Sequence, residues 1–343
     1  MRRLAELFGK STKNTPAVHH DRSNKKGPDF ICIGMQKAAT RTLHDILSLE
    51  DGFWMPLVKE FHHFDNGDIP RRHKNQHHHL EALEKGGQVL ARLNERRAKF
   101  DKRPLDVLDL EFLNASKTYL DGGMTDALYL DLFSMCPEGD WVGDVTPGYS
   151  SLDVETAKHT KAIVPDAKIV LILRDPVARA WSHINMTVRK LLQVDKAKFD
   201  AAEAQKISDY IREEKYVDWY VQKAVRKAFP TQIYDVWTSA YGVENVLVYS
   251  FEDITRRPNG SVLALRAFLK GEATDIMPTI EDDMAEKAVE APNRKANAPR
   301  VEMTDEYRDK LIEMFRPELS VAQSVFGAKA AGWAEKYGIS VSD

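Results

Sequence analysis

Phe30-Ile31-Cys32-Ile33-Gly34-Met35-Gln36-Lys37-Ala38-Ala39-Thr40-Arg41-Thr42-Leu43 is the stretch that decides how this chain folds. Its first four residues make a short apolar run that stops at Gly34, and Leu43, Ile46 and Leu47 then recur at helical spacing. The pattern predicts a strand, a loop and a helix. A loop joining a buried parallel strand to a helix N-terminus aims several backbone N–H groups at one spot, which makes it an anion site. Lys37 adds a full positive charge there, Thr40 and Thr42 add hydroxyl donors, and Arg41 adds a planar fork suited to phosphate oxygens. The frame is not a Walker A box, because G-x-x-x-x-G-K-[ST] is absent. Taken alone, the loop reads equally as a lysine near a strand end.

Working outward, Ile169-Val170-Leu171-Ile172-Leu173 is a continuous apolar run of the kind buried on both faces of a sheet. Arg174 closes it, Asp175 can cap and Pro176 can occupy the first turn of the next helix. A third run, Asn245-Val246-Leu247-Val248-Tyr249, follows a helical stretch at Tyr234–Tyr241 and precedes another at Val262–Leu269. Strands alternating with helices predict an α/β fold with a mainly parallel sheet. Further helices are expected at His78–Phe100, Asp126–Phe133 and Ser208–Phe229, the stretches assigned to acceptor specificity, with a last one near Thr304–Phe315 after a polar loop at Glu281–Arg300. Residues 1–28 read as a flexible tail with a short helix near Leu4–Phe8, and residues 29–343 as a single domain with helical insertions.

With 343 residues, 43% hydrophobic and 29% charged, the chain has the composition of a globular protein. A net charge of −3 gives no reason to expect nucleic acid or an anionic membrane as partner, so any anion site is local. Two cysteines, Cys32 and Cys136, supply no disulfide framework, and no apolar run approaches the ~20 residues of a membrane span. These features point to a cytoplasmic protein. The cluster His73, His77, His78 and His79 lacks the spacing and the companion ligands of a metal site and reads as a polar surface, so no metal is expected.

Gly34-Met35-Gln36-Lys37-Ala38-Ala39-Thr40-Arg41-Thr42-Leu43 resembles the 5′-phosphosulfate loop of sulfotransferases that use 3′-phosphoadenosine 5′-phosphosulfate (PAPS), and Leu173-Arg174-Asp175-Pro176-Val177-Ala178-Arg179-Ala180-Trp181-Ser182-His183 resembles their 3′-phosphate signature. Lys59-Glu60-Phe61-His62-His63-Phe64-Asp65 is similar to the segment holding the catalytic glutamate in the heparan-sulfate and carbohydrate branch. Gly143-Asp144-Val145-Thr146-Pro147-Gly148-Tyr149, Val248–Ile254, and Phe315-Arg316-Pro317 with Trp333 also look like stretches of that family. The resemblance implies a P-loop-like three-layer α/β fold. It implies transfer of a sulfuryl group from PAPS, with 3′-phosphoadenosine 5′-phosphate (PAP) as product, to a hydroxyl or amine of a carbohydrate.

By the same resemblance Lys37 holds the bridging oxygen, Ala38, Ala39, Thr40, Arg41 and Thr42 cradle the 5′-phosphate, and Arg174 and Ser182 bind the 3′-phosphate. Arg294 and Lys295 are alternatives for a basic loop closing over the nucleotide. Glu60 is the expected general base and Lys59 a further charge; both also read as an exposed ion pair. Acceptor contacts are expected from His62, His63, Thr146 and Tyr149, the two histidines reading equally as loop packing. Arg174 also reads as a partner of Asp175, and Arg179 is expected elsewhere on its helix. Val145 stands where these enzymes carry a lysine, and Ala38-Ala39 where they carry glycines. A non-catalytic nucleotide-binding protein and an ATP-dependent P-loop phosphotransferase are the alternatives.

Overall fold

The computed structural model describes residues 27–65, scattered positions between 84 and 99, residue 104, and residues 107–194, 199–223, 229–273, 275–280 and 301–340. The expected helix at Leu4–Phe8, the histidines His73, His77, His78 and His79, and the loop bearing Arg294 and Lys295 lie outside these residues.

Four parallel strands form the centre: β1 (Phe30–Gly34), β2 (Gly143–Val145), β3 (Lys168–Leu173) and β4 (Val246–Ser250), in the spatial order β2-β1-β3-β4. They are buried almost throughout, as expected of apolar runs covered on both faces. Helices flank the sheet, giving the α/β class expected from the alternating pattern. Helix Thr40–Leu47 packs with Phe251–Arg256 and Pro258–Leu269, and Pro230–Tyr241 packs with Val154–Ile163 and the long helix Asp305–Phe326. Starts are fixed by side chains: Thr125, Asp153, Asp175, Asp200 and Thr304 each accept first-turn amides, and Ser250 with Asp253 forms a reciprocal capping box.

Because every strand points the same way, the loops after Gly34, Val145, Leu173 and Ser250 share one edge. The chain leaves β1 to one side for β2 and returns on the other for β3, so the switch in winding falls between β1 and β3. In open α/β sheets the ligand cleft opens there.

Some expectations are refined. Ser208–Phe229 is two helices, Ala201–Glu213 and Tyr216–Lys223, separated at Lys215, whose φ of 49° is left-handed and breaks the helical path; residues 224–228 lie outside the described set. The late helix runs on to Phe326, and the described positions between 84 and 99 are helical. Strand β2 and the helices Val107–Asp121 and Val154–Ile163 were not expected, three residues being too few for β2 to show a period.

β2 carries a packing constraint visible in one residue. A Cβ on Gly143 would come within 2.1 Å of Cζ of Phe30, a ring wholly buried in the core. Gly143→Ala is therefore expected to lower stability by about 1–3 kcal/mol through overpacking, measured by denaturant unfolding.

Candidate active site

The loop after β1 turns twice through the left-handed region, at Lys37 (φ 70°) and Ala39 (φ 69°), before helix Thr40–Leu47 begins. Ala39 is the N-cap and offers no side-chain acceptor to the first-turn amides, and no acidic residue occupies that turn. Left-handed residues followed by uncapped helix amides form a concave set of donors. Such a donor set fits a phosphate. An alanine held left-handed costs ~1 kcal/mol that glycine would not, so Ala39→Gly is expected to raise stability by about that amount in thermal or denaturant unfolding.

Arg174, at the end of β3, donates from Nη1 to the carbonyl oxygen of Lys37 at 2.7 Å, and its guanidinium lies 4.4 Å over the Phe251 ring. It thus ties the β1 loop to the β3 and β4 ends at the switch point. Asp175 is not its partner: Oδ1 of Asp175 accepts from the amides of Val177 and Ala178, while Oδ2 accepts from Lys336 Nζ at 2.5 Å and Tyr337 OH at 2.6 Å. Ser182 lies half-buried two turns into helix Pro176–Leu191. Beside Arg174 opens a cavity of about 610 Å³, lined among others by Ser250, Phe251, Arg257, Lys329 and Trp333. Its far wall is the C-terminal segment, where Lys329 is buried against Asp253 Oδ2 at 2.7 Å.

On the other flank, Phe53 bridges to Trp141 and the chain then runs through Lys59 and Glu60 without regular secondary structure. The two side chains form an ion pair at 3.5 Å, and it is not an exposed one: their side chains are 9% and 22% accessible. Burial lowers the Lys59 pKa, Glu60 opposes that, and the Arg41 charge adds to it. Lys59 therefore sits with Arg41 in a common field.

Oε2 of Glu60 also meets His62 Nε2 at 3.2 Å, and His62 Nδ1 donates to Asp65 Oδ2 at 2.7 Å. Burial alone would lower the His62 pKa, but the bonds to Asp65 and Glu60 overcome it and lift it to about 9. At neutral pH His62 is an imidazolium clamped between two carboxylates. Gly148 closes the arrangement from behind, since a Cβ there would lie 2.4 Å from Asp65 Oδ2 and 3.0 Å from His62 Cε1.

The segment itself hangs on Asp144, a wholly buried carboxylate in β2. It accepts from Thr146 Oγ1 at 2.6 Å and from the hydroxyls of Tyr129 and Tyr149, each at 2.9 Å. Burial raises its pKa to about 6 against the lowering effect of these three bonds. Thr146 Oγ1 and Tyr149 OH in turn accept the amides of Phe61 and His63, both at 2.9 Å. Both residues are 0% exposed, so they stand behind the segment. His63 is likewise buried: it stacks on Tyr129 at 4.2 Å, Nδ1 meets Tyr119 OH at 2.8 Å, and Nε2 donates to Asp126 at 2.9 Å.

Sequence reasoning missed Asp144, Asp65 and the burial of Arg179. An acid inside the apolar run Trp141–Val145 was the available signal for Asp144. Val145 is itself buried at the end of β2.

Residues 28–275 match the model of the sulfotransferase family, so the chain belongs to that family and is a sulfotransferase. Among solved structures it is similar to a sulfotransferase from Alicyclobacillus acidocaldarius (21% identity, 89% of this chain and 98% of that one, TM-score 0.49). It is also similar to the sulfotransferase domain of the Synechococcus PCC 7002 olefin synthase (16% identity, 93% and 98%, TM-score 0.39). A third is the sulfotransferase domain from the curacin biosynthetic pathway (13% identity, 93% and 100%, TM-score 0.45). Comparison with curated proteins gives no match. No helix among the described residues is long and apolar enough to cross a membrane.

The raised pKa of His62 has a signed consequence. Its folded-state value of about 9 exceeds the ordinary 6.5, so its stabilising contribution is complete below about pH 6.5 and is lost as pH rises through about 9. Melting temperatures are expected to fall progressively between about pH 6.5 and about pH 9 in the wild type, and this fall is expected to be missing in His62→Gln.

Proposed function

We propose that the chain moves the sulfuryl group of PAPS to an acceptor hydroxyl or amine, on a carbohydrate, with Glu60 as general base. The observation that carries this reading is the 2.7 Å bond from Arg174 to the Lys37 carbonyl, which joins the two phosphate-type motifs at the switch point of the sheet. The β1 loop, through Ala38, Ala39, Thr40, Arg41 and Thr42, would take the 5′-phosphate. Arg174 and Ser182 would take the 3′-phosphate, and the adjoining cavity with Phe251 and Trp333 would take the nucleoside.

In the transfer, Glu60 accepts the acceptor's proton as its oxygen or nitrogen bonds to sulfur. The bond from sulfur to the 5′-phosphate oxygen breaks, and PAP departs with its added negative charge facing Lys37. His62, held by Asp65, orients the Glu60 carboxylate through Oε2. Lys59 and Arg41 supply the positive charge that Val145 does not. Thr146, Tyr149 and His63, expected from the sequence as acceptor contacts, act in this reading as positioning residues that hold the Glu60 segment in place. A reducing, cytoplasmic setting accords with Cys32 and Cys136, which are buried free thiols.

Calorimetric titration with PAP and with ATP–Mg²⁺ separates this reading from a phosphotransferase: PAP is expected to bind, and binding of ATP–Mg²⁺ in its place would refute it. Glu60→Gln is expected to cut kcat by ~10²–10⁴ while PAP affinity is kept, followed as labelled sulfate reaching a panel of glycans. Full activity in that variant would remove Glu60 as base.

A further inference from the structure

Helix Pro176–Leu191 presents two different faces to its surroundings. Ala178 lines the cavity beside Arg174. Arg179, about 100° further round the helix, does not line it and is only 3% exposed. Its Nε and Nη2 are buried with no hydrogen-bond partner, and among the described residues it forms no ion pair with any acid.

A guanidinium stays charged at all accessible pH, so this group cannot escape burial by losing a proton. Leaving such a charge unpaired opposes folding strongly, and natural chains pair buried charges almost without exception. The exceptions call for a ligand or another functional reason.

The neighbourhood is cationic. His183, one turn along on the same face, is held down to about pKa 4, first by its burial and then by the charges of Arg179, Lys37 and Lys190. Its ring packs edge-on against Tyr220 at 5.7 Å, on helix Tyr216–Lys223. Arg179 therefore lies on the helix face that carries His183, close to Lys37 of the β1 loop and to helix Tyr216–Lys223, and away from the Arg174 cavity.

We infer that Arg179 is an oxyanion-binding residue, whose free guanidinium edge receives a phosphate, sulfonate or carboxylate group of a reaction ligand at a point separate from Arg174. The assignment of an oxyanion stands on the unpaired guanidinium alone; whether the group belongs to donor or acceptor rests on the function proposed above.

Thermal unfolding of the full chain with and without excess inorganic sulfate tests this. Arg179→Met removes an uncompensated buried charge, so without sulfate its melting temperature is expected to rise by roughly 2–4 °C. Sulfate is expected to raise the melting temperature of Arg174→Met by clearly more than that of Arg174→Met/Arg179→Met, whose β1 loop and general salt effect remain. An equal rise in the two variants, or a lower melting temperature for Arg179→Met, overturns the assignment. If methionine prevents folding, Arg179→Lys in the Arg174→Met background keeps the charge and loses the fork: a need for ~10-fold more sulfate supports the assignment, and an unchanged need overturns it.

Titration with PAP then locates the group. An affinity ~10- to 100-fold lower in Arg179→Met places it on the donor, and an unchanged affinity places it on an acidic acceptor. Failure of the wild type to bind PAP would remove the donor proposed above, while the sulfate response would still judge Arg179.

Discussion

A buried carboxylate organises the reactive side of this protein. An ionised carboxylate can only accept hydrogen bonds, so the three hydroxyls around Asp144 must all aim their protons inward. Two of those oxygens then have lone pairs left to accept the amides of Phe61 and His63, which flank His62. Direction is passed outward from one acid to a backbone segment, and from it to the Glu60–His62–Asp65 row. Desolvation works against the arrangement, as the rise of the Asp144 pKa to about 6 shows. Aromatic packing of Phe61 on Phe133 at 4.9 Å and of His63 on Tyr129 at 4.2 Å keeps water from competing for the same bonds.

The other half of the site is held differently. Its residues come from strand ends whose positions follow from parallel pairing, and Arg174 joins two of those ends by a charge-assisted bond. The nucleotide side is therefore set by topology, the Glu60 side by a polar network built on a loop. A loop needs such a network because it has no ladder of its own beyond the bridge at Phe53.

This division accounts for what could be read from the sequence. β1, β3, β4 and the helix starts at Asp175 and Thr304 are local patterns of apolar runs and capping residues, and they are visible in one dimension. The β1 loop and Arg174 were legible for the same reason, each lying at a strand-to-helix junction. The roles of Thr146 and Tyr149 were not, because they depend on Asp144 and Phe61, distant in sequence and adjacent only after β2 pairs with β1. The burial of Arg179 was hidden in the same way: the helical period gives its angle round the helix and says nothing of what covers that angle. Lys59 and Glu60 were identified by resemblance, but their pairing inside the protein rather than on its surface required the fold.

Lys329, Trp333 and Lys336, which wall the cavity, come from a part of the chain beyond the residues matched to the family. During synthesis the four described strands have all been made once Ser250 has been added, while this wall has yet to be translated. Until it is made, the cavity beside Arg174 has no wall on that side. The residues that close it come from the last described stretch, 301–340, so a complete pocket requires the chain to reach at least Lys336.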